Sequence, residues 1–103
     1  MGNFFGFSPI VTRVAPTDTS GTDVFGGEIV RVWGFSVSNT SAGTVTATIR
    51  TNEASPTTLW TASMPTNTNI SVPIPFIADK GLEVVTSSGS ALSFTFWHSQ
   101  AGT

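Results

Sequence analysis

The chain has no cysteine and no tyrosine, a single histidine, and little charge. Without thiols there is no disulfide, no thiolate nucleophile and no cysteine zinc site. Stability must come from apolar packing and backbone ladders. Charged residues make up 10% of the 103 residues, against about 25% in an ordinary soluble domain. The basic side chains Arg13, Arg31, Arg50 and Lys80 are widely spaced, and the net charge is -2. Such a surface holds no attraction for phosphate, so no nucleic-acid partner is expected. Long hydrophobic runs are also missing. No window approaches the roughly 20 apolar residues of a membrane-spanning helix, so no membrane partner is expected. The start, MGNFFGFSPI, lacks the basic region and long apolar run of a signal peptide.

The chemistry-bearing residues are equally sparse. His98 is the lone histidine, and the acids lie singly in loops or at strand ends. Nothing specifies a Ser-His-Asp site, a pair of carboxylates or a metal-ligand cluster. Asp18-Thr19-Ser20-Gly21-Thr22-Asp23 is loosely similar to an aspartic-protease motif and to a calcium loop. It has the glycine displaced for the first and lacks the bidentate glutamate of the second, so a solvated turn is expected. The expectation is a non-enzyme with no catalytic residue, no metal ligand and no cofactor.

Thr, Ser and Asn take the places that charge would normally hold, a surface that suits pleated structure in an extracellular or particle-associated protein. Within Glu28 to Arg50, EIVRVWGFSVSNTSAGTVTATIR, Val45, Ala47 and Ile49 alternate with Thr44, Thr46, Thr48 and Arg50. That period of two sets one face in a core and the other in water. Trp33, Phe35 and Val37 share a face of the preceding strand. The two strands are expected to form a hairpin about the turn Asn39 to Gly43, with the later strands supplying the second layer. Position 33 against position 32 stays open by one register step.

Other strands are expected over Pro9 to Ala15, with Ile10 and Val14 among the candidates for burial, over Thr58 to Met64, over Ile70 to Phe76, over Leu82 to Thr86, and from Leu92 through Phe96. Pro16 to Gly27 reads as loop and Ile77 to Gly81 as a turn. Pro73 and Pro75 lie on one side of their strand and cannot donate to a ladder, which marks an edge. Short strands at turn spacings of about 8–12 residues predict an all-β fold, a single antiparallel β-sandwich over 9–98. An apolar arm over 1–8 precedes it and a polar tail over 99–103 follows.

The arm carries Phe4, Phe5 and Phe7, each worth about 1.5–3 kcal/mol when buried. It either folds back on its own sheet or docks on a neighbouring subunit. If Leu59 and Phe96 point inward, Trp60 and Trp97 point outward. These indoles either pack under the arm and the end of the sandwich, contact a partner, or stack on a sugar. Asn39-Thr40-Ser41 and Asn69-Ile70-Ser71 match the glycosylation pattern and read more simply as turn residues.

The order VWGFSVSNTSAGTVTATIR, then ISVPIPF, then ADKGLEVVTSSGSALSFTFW resembles small β-sandwich virion proteins of tailed bacteriophages. The resemblance covers about Glu28 to Trp97 and its motifs are structural. It implies a jelly-roll-like fold and a head decoration (cement) protein on the major capsid protein or another virion protein, often a homotrimer. The same sandwiches occur in tail and fibre parts. Phe4, Phe5, Phe7, Trp60 and Trp97 would then be partner or intersubunit contacts. A carbohydrate-binding module using the exposed tryptophans is the alternative.

Overall fold

The computed structural model describes residues 10–99. Phe4, Phe5 and Phe7, Pro9, and the end of the polar tail lie outside them. The described chain is all β: β1 (Ile10–Val14), β2 (Thr22–Asp23), β3 (Val30–Asn39), β4 (Val45–Thr51), β5 (Thr58–Met64), β6 (Thr68–Val72), β7 (Phe76–Ala78), β8 (Leu82–Thr86) and β9 (Leu92–His98). One sheet, here sheet A, runs β1-β9-β3-β6, with β7 also on β3. Sheet B runs β2-β8-β4-β5.

The strand pairings are antiparallel, and apart from β3–β9 and β4–β8, which complete the two sheets, they nest. β4 pairs with β5, β3 with β6 and β7, β2 with β8, and β1 with β9. The chain is thus one long folded-back ribbon with its tip between β4 and β5, wrapped so that successive pairs fall in alternate sheets. With β6 and β7 counted as one interrupted strand, this is the eight-stranded jelly-roll order.

The nesting corrects the expected hairpin. β3 and β4 exist with the anticipated turn between them, but they lie in different sheets and do not pair. Alternation tells which face of a strand is buried, and both sheets bury one face, so it is silent on which sheet receives each strand. β4 and β5 are the consecutive strands that pair. Other differences are smaller. Thr22–Asp23 forms a short edge strand inside the expected loop. Ile77 and Ala78 extend β7, where a turn was expected. Ile10 is 41% exposed instead of buried, because β1 is the outer strand of its sheet.

The core lies between the sheets. Val30, Val32, Phe35 and Val37 of β3 and Phe94 and Phe96 of β9 meet Val45, Ala47 and Ile49 of β4 and Leu82 and Val84 of β8. A bulge sits between Val32 and Gly34, which pair with His98 and Trp97 respectively. The extra residue, Trp33, absorbs one step of the pleat, so Val32 and Phe35 both point inward and Trp33 does not share their face. A strict period of two had grouped Trp33 with Phe35.

At the end of β3, Asn39 is buried and fully used. Its Nδ2 donates to the carbonyls of Gly43 and Met64, both at 2.9 Å, and of Pro65 at 3.2 Å. Its Oδ1 accepts from Ser41 N at 2.9 Å and Ser41 Oγ at 2.7 Å. Asn39 therefore fixes the crossing from sheet A to sheet B. An amide so engaged is no glycan acceptor in the folded chain.

Candidate functional site

Two apolar surfaces stand out on this frame. The first is the open edge of the sandwich between β5 and the β6–β7 strand. Pro73 and Pro75 interrupt that strand, and neither supplies an N–H to a ladder. Ile74, between the prolines, and Ile77, opposite Arg31 in β7, are each 59% exposed. Across the gap β5 carries a second bulge: Ile49 pairs with Trp60 but Arg50 with Thr58, leaving Leu59 extra. Leu59 is turned out and 45% exposed. A pocket of about 200 Å³ opens between these side chains, floored by Phe35, Trp60 and Phe76.

This geometry overturns the expected outward Trp60. Opposite Ile49, Trp60 continues the inward series Met64, Ala62, Trp60 and packs on the core. Its ring meets Phe35 edge-to-face at 5.0 Å, a favoured aromatic arrangement. The signal was present in the sequence: Ala62 and Met64 alternate with Thr61 and Ser63, and Trp60 belongs to the apolar set.

The second surface is the outer face of sheet A. Trp97 points outward as expected and is 37% exposed. It pairs with Val11 on one side and Gly34 on the other. Gly34 in turn abuts β6: a Cβ at this position would come within 3.0 Å of the Val72 carbonyl oxygen and 3.3 Å of Pro73 Cα. Val11, Trp97, Gly34 and Pro73 thus form a row across four strand positions. A groove of about 360 Å³ follows it, with Trp33 and Ser71 also in its lining. Sequence reasoning missed the contribution of Trp33, because the bulge that turns it toward Trp97 has no local signature.

The polar groups are committed elsewhere. His98 is buried beside Phe25, with ring centroids 4.7 Å apart. Its Nδ1 lies 2.6 Å from the Ser99 carbonyl and its Nε2 2.7 Å from Thr12 Oγ1. The carbonyl can only accept, so Nδ1 is the protonated nitrogen and, in the neutral ring, Nε2 accepts from the threonine hydroxyl. Nε2 therefore ties β9 to Thr12 of β1, while Nδ1 is taken up by the carbonyl of the next residue, Ser99. Asp18 accepts from Ser20 N and Ser20 Oγ in an exposed turn, and those bonds hold its carboxyl below the usual aspartate pKa. Among the described residues no group of three or more His, Cys, Asp or Glu is placed to hold a metal ion. Phe4, Phe5 and Phe7 lie outside the described residues.

The fold defines the chain as a jelly-roll β-sandwich, and the surfaces are apolar rather than ionisable. No family model matches the chain, and no curated protein does. Among solved structures, a chain of the Bacillus endospore appendages, a family of disulfide-linked pili, aligns over 89% of this chain and 85% of its own, at 16% identity and a TM-score of 0.45. A chain of infectious bursal disease virus, Gt strain, aligns over 88% of this chain but 32% of its own, at 19% identity and a TM-score of 0.32. The Gx strain gives 16% identity and a TM-score of 0.30, over 87% of this chain and 33% of that one. Having no cysteine, this chain has no thiol with which to make a disulfide link of its own.

Proposed function

We propose that the chain is a structural virion subunit, a capsid decoration protein that seats on the major capsid protein shell of a tailed phage and stabilises it. The observation that carries this reading is the open sandwich edge. Leu59, Ile74 and Ile77 present aliphatic surface around a pocket floored by aromatic rings, with no charge in the lining. Charge depletion with aromatic and aliphatic anchors is the signature of an interface core. The low overall charge and the resemblance of Glu28 to Trp97 to decoration proteins support the same reading.

The mechanism is mass action: a subunit that binds the mature shell and not its alternatives lowers the free energy of that shell by its own binding energy. Because β6–β7 is broken at its prolines, a partner would dock by side-chain insertion into the edge rather than by adding a strand.

The test is mass spectrometry of purified particles separated into heads and tails. Presence in heads at a fixed ratio to the major capsid protein supports the reading, presence in tails only moves it to a fibre part, and absence from both sinks it. Light scattering of the purified chain reports whether copies associate as a homotrimer.

A second reading rests on the other surface. Two indoles, Trp33 and Trp97, flank a glycine floor with the Ser71 hydroxyl alongside, an arrangement that suits stacking on a sugar ring. Under that reading glycan titration at millimolar concentration quenches tryptophan emission, and no change for any glycan eliminates it.

A further inference from the structure

We propose that β5 is a pairing edge for a second copy of this chain, joined antiparallel about a two-fold axis at Thr61, so that sheet B runs unbroken through a dimer. This inference does not depend on the virion reading.

Three observations lead to it. The first is that β5 is the least guarded sheet edge among the described residues. An edge strand offers a row of free N–H and C=O groups, and natural edges carry charge, proline or short length against stray pairing. β1 carries the exposed Arg13, β2 has two residues, and β6–β7 is interrupted by Pro73 and Pro75. Among the described residues β5 pairs with β4 alone, and its sequence TLWTASM holds neither charge nor proline. The bulge at Leu59 blunts one end only and leaves 60–64 regular.

The second is charge. Every Asp, Glu, Lys, Arg and His lies outside 54–78, the segment that supplies both β5 and β6–β7. Like charges placed opposite one another destabilise a strand pair. Two copies of a chain of net charge -2 meet at this face without any. A charged foreign strand would find no complement there, whereas a second copy is matched.

The third is register. Opposed residues of an antiparallel pair point to the same face, so a strand that pairs with its own copy needs a residue on the axis. The middle residue of β5 is Thr61. About it Trp60 falls opposite Ala62 and Leu59 opposite Ser63, large against small, while Thr61 meets Thr61 in a favourable cross-strand pair. The pocket between β5 and β6–β7 puts both edges at one end of the sandwich. The same axis therefore brings β6–β7 of the two copies together one layer below, where the exposed Ile74 and Ile77 leave water.

The seven residues of β5 span about 24 Å and the two sheets lie about 10 Å apart. The contact thus buries on the order of 1,000 Å², at the low end for a specific interface. A weak dimer follows, half formed at roughly 10–100 µM. It covers the open edge, so a paired copy must separate before that edge can dock on anything else.

The test uses the purified chain with no particle present, so its failure leaves the virion reading standing. Sedimentation velocity is expected to show a monomer–dimer equilibrium in that range. A monomer up to about 1 mM overturns the proposal, and so does a trimer, because an isologous pair closes at two.

Single cysteines read the register, since the chain has none of its own. Opposed residues have Cα atoms about 4.5–5.5 Å apart, within disulfide range. Thr61→Cys is expected to oxidise to a two-chain product at least tenfold faster than Ser63→Cys, two residues along the same face, and equal rates overturn the proposal. Thr61→Lys sets two cations across the axis and is expected to weaken dimerisation at least tenfold. Thr46→Lys, on β4, is expected to leave it unchanged, with the far-ultraviolet spectrum of the parent kept in both. A dimer indifferent to Thr61→Lys forms elsewhere on the chain and overturns the proposal.

Discussion

The side chain of Asn39, the last residue of β3 in sheet A, donates to the backbone carbonyl of Met64, the last residue of β5 in sheet B, at 2.9 Å. One buried amide thereby ties the ends of two strands that share no ladder. Replacing it strands several backbone groups at once. Asn39→Ala is expected to destabilise by about 2–3 kcal/mol, lowering the melting temperature by roughly 10–20 °C. Thermal unfolding followed by circular dichroism measures this. Asn39→Asp fares no better, because a carboxylate cannot donate to the Gly43, Met64 and Pro65 carbonyls.

The two tryptophans named from the sequence are expected to separate. Trp60 rests on Phe35 and the core, so Trp60→Ala leaves a cavity and destabilises by about 2–4 kcal/mol. Trp97 projects from the sheet, and Trp97→Ala is expected to stay within about 1 kcal/mol. Urea unfolding of both variants decides it, and equal losses would contradict the inward and outward placement.

The open edge predicts association without a stability effect. Ile74→Asn and Ile77→Asn together remove exposed aliphatic surface and leave the buried core intact. Their unfolding free energy is expected within about 1 kcal/mol of the parent. Any self-association or shell binding through this edge should fall by at least tenfold, read by light scattering or co-sedimentation.

Gly21 has φ +104°, and a Cβ there would come within 2.7 Å of Glu83 Cδ. Glu83 is the ion-pair partner of Arg50 across β8 and β4. Gly21→Ala is therefore both strained and displacing, with an expected loss of about 1–3 kcal/mol. Adding Glu83→Ala removes the clash but not the backbone strain, so the double variant should lose less than the sum of the singles.

Asp18 offers a pH signature. Hydrogen bonds from Ser20 lower its folded pKa. A depressed carboxyl contributes stability that is present above the unfolded pKa and is lost as pH falls through the folded one. The side chain is fully exposed, so the effect on unfolding is small and the titration itself is the readout. Carboxyl chemical shifts should place the Asp18 midpoint below the ordinary 3.8, and Ser20→Ala should bring it back toward that value.

Much of the fold was legible because alternation is a physical consequence of the pleat. Thr58 to Met64 and Leu82 to Thr86 were bounded correctly, and the inward set Val45-Ala47-Ile49 was read without loss. What failed was what alternation does not encode. The bulge at Trp33 shifts the pleat by one residue and moves that tryptophan off the face of Phe35, whereas Trp60 follows the plain alternation of Ala62 and Met64, and taking Leu59 as inward hid it. Pairing failed between β3 and β4 for a related reason, since a polar turn between two apolar strands serves a hairpin and a sheet crossing alike. The candidate surfaces suffered most. The groove beside Trp97 requires Gly34, Pro73 and Trp33, which come together only through the order β9-β3-β6.

The outermost pair of the nested ribbon has a mechanical consequence. β1 and β9 are neighbours with Ile10 opposite His98, so the two ends of the described chain leave from the same corner. Tension applied there would peel β1 from β9 one ladder bond at a time, as a zipper opens. The bonds would never be loaded together in shear. A domain with a well-filled core would yield at low force when held by its ends, and resist far better when gripped across its faces.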